Sequence, residues 1–221
     1  ALSLRSGRTF WEYPDVSGFV ESTPLIYQNR VIFGAWDSYL YALDRATGSL
    51  AWKWSNGKPI RNLSPAACTP VASNGAVFIV APDRFTTALD ASTGSAIWRT
   101  NAHQVREMIG ISEDRSKIYL RTMNDTLLAL DASSKKPEVL WALDCKYGYD
   151  FAPSMPVEKE GTIYFGTRNG LVYAVDARTH TVAWVHKIGN TVITTVKPLS
   201  SREVVVTSMD GSIVRLRGAN Q

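Results

Sequence analysis

The chain is 221 residues long, 45% hydrophobic and 20% charged, with a formal net charge of +4. That profile excludes an intrinsically disordered chain, and the lack of any run of 18 apolar residues excludes a transmembrane helix. Lys and Arg are scattered, Lys135 and Lys136 being the one adjacent pair, so the basic stripe that nucleic-acid binding needs is missing and no such partner is expected.

Read in chain order, the sequence returns to one label. It opens on ALSLRSGRTFW, residues 1–11, with Ser3, Gly7 and Trp11 at fixed offsets. A β-rich run, a turn and a second run follow in VIFGAWDSYLYALD, residues 31–44, leading into ALDRATGSLAW at 42–52, where Asp44 takes the slot of Ser3. The same grammar gives VFIVAPDRFTTALD, residues 77–90, and ALDASTGSAIW at 88–98, with Asp90 and Trp98. A third copy, IYLRTMNDTLLALD at 118–131, runs into ALDASSKKPEVLW, where two inserted residues separate Asp131 from Trp141. The fourth, IYFGTRNGLVYAVD at 163–176, continues as AVDARTHTVAW with Asp176, Trp184 and His180 in the glycine slot. The last, VVVTSMDGSIVRLR at 204–217, ends with Arg217 in the Asp slot.

The equivalent slots Ser3, Asp44, Asp90, Asp131, Asp176 and Arg217 are therefore 41, 46, 41, 45 and 41 residues apart. A period of about 40–45 residues suits a four-stranded propeller blade or a two-helix repeat. The Val, Ile, Tyr and Phe enrichment, and the absence of a capped helical stripe, select strands. Asn169-Gly170 and Asp210-Gly211 predict type I′ hairpin turns. Pro24, Pro70, Pro156 and Pro198 are expected at strand starts or where no partner needs an N–H. The fold class is all-β, a propeller of four-stranded antiparallel blades forming one domain over 1–221. Its repeats fall at 15–55, 56–101, 102–144, 145–187 and 188–217 with 1–14. Two arrangements satisfy this: a closed five-bladed ring in which the N-terminal strand completes the last blade, or part of a seven- to eight-bladed propeller. A start inside a repeat, without Met, reads as a mature product or a piece of a longer protein.

The pattern Ala-x-Asp-x-x-Thr-Gly-x-x-x-Trp resembles the tryptophan-docking motif of the PQQ-like repeat propellers. That group includes quinoprotein alcohol dehydrogenases and the lipoprotein of the outer-membrane β-barrel assembly machinery. The resemblance covers essentially the whole chain and implies that Trp11, Trp52, Trp98, Trp141 and Trp184 pack between neighbouring blades. Burying one such ring removes about 150–250 Å² from water, an upper bound of roughly 4–6 kcal/mol. Asp44, Asp90, Asp131 and Asp176 are expected to hold the turn backbone. These residues are read as scaffold, not chemistry.

The resemblance also implies an extracytoplasmic location, periplasmic or outer-membrane-associated. The quinoprotein site does not carry over, because that site resembles an eight-bladed arrangement with calcium, an adjacent-Cys disulfide and a catalytic Asp. Here Cys68 and Cys145 lie in different repeats and form neither a disulfide nor a metal pair, and His103, His180 and His186 lack zinc-ligand spacing. No catalytic residue, metal or cofactor is expected.

What remains for function is the loop decoration of the propeller ends. Trp36, Arg61, Arg84, Arg106, Tyr147, Tyr149, Asp150 and Arg168 are the candidate binding residues, since aromatics and Arg dominate interface hot spots. The expected function is a non-catalytic binding or scaffolding module that docks a protein partner or an adjoining domain of the same polypeptide. Two alternatives stay open: an accessory propeller of a larger enzyme, such as a calcineurin-like metallophosphoesterase, and a degenerate PQQ-dependent dehydrogenase.

Overall fold

The structure, a computed structural model, describes residues 1–57, 63–151 and 154–218. Nineteen strands make five antiparallel sheets among the described residues. The first holds β1 (Leu25–Tyr27), β2 (Arg30–Gly34), β3 (Leu40–Asp44) and β4 (Leu50–Trp54). The second holds β5 (Val71–Ser73), β6 (Ala76–Val80), β7 (Thr86–Asp90) and β8 (Ala96–Thr100). The third holds β9 (Val105–Ile111), β10 (Lys117–Thr122), β11 (Asn124–Asp131) and β12 (Val139–Tyr149). The fourth holds β13 (Val157–Lys159), β14 (Thr162–Gly166), β15 (Leu171–Asp176) and β16 (Thr181–Lys187). The fifth is three-stranded, with β17 (Ile193–Ser200), β18 (Glu203–Ser208) and β19 (Ile213–Arg217).

Each sheet meets its neighbour face to face, which explains the composition of the middle strands. AVFIV in β6 is buried at every position because both faces of its sheet are covered, whereas TVAWVHK in β16 alternates toward solvent. Ile32, Phe78 and Ile118 belong to a core spanning the first three sheets. Tyr119 and Phe165 join the third to the fourth, and Tyr164 and Val206 the fourth to the fifth. A fully buried alanine stands two residues before each Asp, at Ala42, Ala88, Ala129 and Ala174. Only a small side chain leaves room there for the next sheet. In the fifth sheet that place belongs to Arg215, which pairs with Glu203.

The label residues define the joints. Asp44 Oδ1 accepts the N–H groups of Ala46 and Thr47, both at 2.9 Å, and Asp90, Asp131 and Asp176 hold their turns through the same acceptor. The turn then receives the Trp of the preceding repeat: Trp11 Nε1 donates to Arg45 O at 3.0 Å, Trp52 to Ala91 O at 3.0 Å and Trp98 to Ser134 O at 3.4 Å. Trp141 stacks instead on His180, ring centroids 4.7 Å apart, and its buried indole N–H has no hydrogen-bond partner among the described residues. Trp184 packs against Tyr164, with ring centroids 5.9 Å apart.

Two expectations change. Residues 1–11 do not lie along β19. They pair with themselves through a Leu2–Thr9 bridge, the counterpart of the Leu43–Leu50 pair, so this segment is an outer hairpin of its own. Asn169 and Asp210 keep ordinary φ, and only Gly170 and Gly211 are positive. The turns with two positive φ values are Asn74-Gly75 and Glu160-Gly161, which join the first two strands of their sheets. The prolines fall where expected: Pro24, Pro70 and Pro156 directly precede inner strands, and Pro198 lies on β17, the inner edge of its sheet.

Candidate functional site

Antiparallel order puts the first and third turns of each sheet on one rim. The middle hairpins and the inter-sheet loops share the other. On the first rim the tight turns bind one another. Tyr27 Oη accepts the Gly75 N–H at 2.9 Å, Ser73 Oγ donates to Arg115 O at 2.6 Å, and Glu113 accepts the Glu160 N–H at 2.8 Å. Their side chains are mostly polar, but Leu4 is fully exposed, and Leu50, Val139, Leu140 and Leu199 are exposed where strands meet this rim.

The loop rim is different. Between residues 12 and 24 the chain crosses to the hairpin at 35–39, where the Trp36 N–H donates to Phe19 O and Trp36 Nε1 to Glu21 Oε2 at 3.1 Å. Phe19, 85% exposed, and Val20 are left on the outside. At the second sheet, buried Asp83 accepts from Asn56 Nδ2 at 2.8 Å and pairs with Arg99, whose guanidinium lies 3.8 Å from the Phe85 ring centroid. Arg84 occupies the left-handed position of that hairpin, φ 65°, and is exposed.

In the third sheet, β9 bulges, because Leu120 pairs with Ile109 but Thr122 with Val105. Arg106 and Glu107 fill the bulge, Glu107 with φ 62°, and they pair at 3.8 Å. Burial raises the Glu107 carboxyl above the ordinary glutamate range, opposed by Arg106 and reinforced by Glu21.

The third sheet runs on to Tyr149, beyond the expected repeat boundary at 144, because β12 pairs again with Asn124. The run Tyr147 to Phe151 then divides its roles. Tyr147 is buried, its Oη donating to Thr122 O at 2.7 Å, so it packs the core and does not face a partner. Asp150 is also buried: Oδ1 is 3.1 Å from Arg121 Nη1 and Oδ2 accepts the Arg168 N–H at 2.8 Å. Its role is to tie the inter-sheet loop to the next hairpin. Tyr149 and Phe151 stay exposed, centroids 6.0 Å apart, with the Arg168 guanidinium 5.3 Å from the Phe151 centroid.

The structure thus brings Tyr149, Asp150 and Arg168 together, leaves Trp36, Arg84 and Arg106 on separate sheets of the same rim, and leaves Arg61 outside the described residues. Sequence reasoning passed over Arg121, although an Arg in the apolar run IYLRT was a visible signal, and over Phe19. Among the described residues no group of three His, Cys, Asp or Glu is placed to hold a metal. Cys68 and Cys145 are buried thiols, each pushed up by burial to about 12.

Residues 1–84 and 136–220, more than half the chain, match the family described as outer membrane protein assembly factor BamB. The chain belongs to this family. Among solved structures, BamB from Moraxella catarrhalis is similar with a TM-score of 0.60 at 17% identity, covering 98% of this chain and 77% of that one. The computationally designed Ika8 protein is similar with a TM-score of 0.71 at 17% identity, covering 88% of this chain; the match spans 57% of the designed chain. At that identity both likenesses speak to fold alone. No curated protein matches the chain in sequence.

Proposed function

We propose that this BamB-family propeller is a non-catalytic docking module that holds protein segments on its loop rim, outside the cytoplasm, in the service of protein assembly at a membrane. The observation that carries the reading is the set of exposed aromatics on the loop rim. Phe19, Val20, Tyr149, Phe151 and Met209 are exposed on or beside the loops and middle hairpins, while the opposite turns bond to one another through polar groups. Solvent-facing aromatics held by a rigid sheet scaffold are the usual anchors of a protein interface. The family's description as an assembly factor agrees in kind. No helix among the described residues is long and apolar enough to cross a membrane, and the docking role needs none.

Affinity capture from envelope extracts tests this. The combined Phe19→Ala and Phe151→Ala variant should lose a discrete protein partner that the parent and an Asn29→Ala, Ser116→Ala variant of the opposite rim both retain. Equal recovery by both variants would reject the rim as the docking face.

A further inference from the structure

Tyr149, Asp150 and Phe151 alternate out, in and out. Tyr149 is 55% exposed, Phe151 45%, and Asp150 between them is fully buried against an equally buried Arg121. A buried ion pair adds little net stability, since desolvating both charges offsets most of their attraction. What this pair does is positional. Through Oδ2, Asp150 also grips the Arg168 backbone, so one carboxylate fixes the end of β12 and the hairpin of the fourth sheet together. Three exposed side chains are thereby held as a unit, Tyr149 and Phe151 with edge-to-face rings and Arg168 over the Phe151 face.

Arg168 carries the chemistry. No carboxylate among the described residues lies within ion-pair distance of its guanidinium, and Asp150 contacts its backbone N–H, not its charge. A guanidinium over an aromatic face keeps its in-plane N–H donors free for an acceptor, and two parallel donors match a carboxylate. Neighbouring aromatics exclude water from that contact and strengthen it. The aromatic pair sets the register: the 6.0 Å between the Tyr149 and Phe151 centroids is close to the i, i+2 repeat of an extended chain, about 6.6–6.8 Å. β12 is also the outermost strand of its sheet, so its outer edge is open beside Tyr149 among the described residues.

We infer that Tyr149, Phe151 and Arg168 form a clamp for an extended protein segment in which acidic and apolar side chains alternate, an Asp or Glu side-chain carboxylate seating on Arg168 and an apolar side chain against Tyr149. The inference rests on the loop-rim reading above and names the chemistry of what that rim takes. The carboxylate is assigned to a side chain within the segment, and a peptide with a free terminal carboxylate separates that source from a chain terminus.

The test is an NMR titration of the whole chain with acetylated, amidated heptapeptides. One alternates Glu with Leu; its twin alternates Gln with Leu; a third is the Gln twin with a free C-terminal carboxylate. The Glu peptide should shift the amide signals of Tyr149, Phe151 and Arg168 and bind at least tenfold more tightly than the Gln twin. Arg168→Gln and Tyr149→Ala should each weaken it tenfold or more, while Lys136→Gln, in a turn of the other rim, should not. Arg168 and Tyr149 are exposed, so both variants are expected to fold, and their unchanged spectra elsewhere would establish that. Equal binding of the Glu and Gln peptides, full binding by Arg168→Gln, or equally tight binding of the free-terminus peptide would overturn the clamp. If Arg168→Gln still captures the rim partner through Phe19 and Phe151, the clamp fails and the docking reading stands; if no partner depends on the rim, the docking reading fails by itself.

Discussion

Trp52 covers Gly94 so closely that a Cβ added to that glycine would lie 2.7 Å from the indole ring, while Trp52 Nε1 donates to the Ala91 carbonyl at 3.0 Å. One repeat's tryptophan thus closes on the next repeat's turn. Trp52→Ala is expected to cost about 3–5 kcal/mol, the range for truncating a buried aromatic. Gly94→Ala should also destabilise, because φ is +73° and the methyl group meets the ring. The double variant should cost less than the two losses together, since the clash disappears with the indole. Urea unfolding of all three measures this; a loss under about 1 kcal/mol for Trp52→Ala would mean the ring is not part of the joint.

Acid should loosen the turns that receive those rings. Asp90 ionises below the usual aspartate range chiefly because the Ser92 hydroxyl donates to it, and Asp44 and Asp176 do so chiefly through the N–H groups of Thr47 and Thr179. A depressed folded value means the stabilisation is complete above about pH 4 and is lost as pH falls through the folded value. Asn accepts the same hydrogen bonds without titrating, so the Asp90→Asn variant should show a shallower loss of Tm between about pH 4 and pH 2. Identical slopes for variant and parent would contradict this.

Glu107 works in the opposite sense. Burial raises its carboxyl, so the ionised form costs stability, and that cost fades as pH drops and the group takes up its proton. Glu107→Gln should raise Tm at pH 7–8, with the gain shrinking toward about pH 4. A lowered Tm at pH 7 would show that the ion pair with Arg106 outweighs burial.

Arg121→Met leaves Asp150 buried without its ion-pair partner and is expected to cost about 3–5 kcal/mol. Thermal and urea unfolding read this directly. Hydrogen exchange should also rise at Tyr149 and Arg168, because the carboxylate that ties the two segments has lost its counter-charge. Unchanged protection there would mean the pair does not organise the rim.

Architecture was legible in the sequence because it is periodic: the label repeats at a near-constant distance, and its Asp, Gly and Trp each have one local job. The rim was legible only in part. Tyr147 and Tyr149, two apart, would share one face of a regular strand; the register shift near the end of β12, with Gly148 at φ +80°, leaves one in the core and the other exposed. Asp150 read as a binding residue because its partner, Arg121, is 29 positions away on β10, a distance that no local pattern crosses. Residues 8–13 read as the missing strand of the last blade because the ends complement each other in sequence; Ser3 O accepts the Gly7 N–H at 2.8 Å as Asp44 O accepts that of Gly48, so the segment closes its own hairpin without the carboxylate. The type I′ expectation failed because Asn-Gly and Asp-Gly also suit a longer loop in which the glycine alone is left-handed.

The central claim, that protein docks on the loop rim, is tested most directly by site-specific photo-crosslinking in envelope extracts. A photoreactive residue would be placed at Phe19, Tyr149 or Met209 on the loop rim and at Asn29, Ser116 or Arg202 on the turn rim. Adducts to the same protein are expected from the loop-rim positions and none from the turn rim. Adducts only from the turn rim, or the same adducts from both, would contradict it.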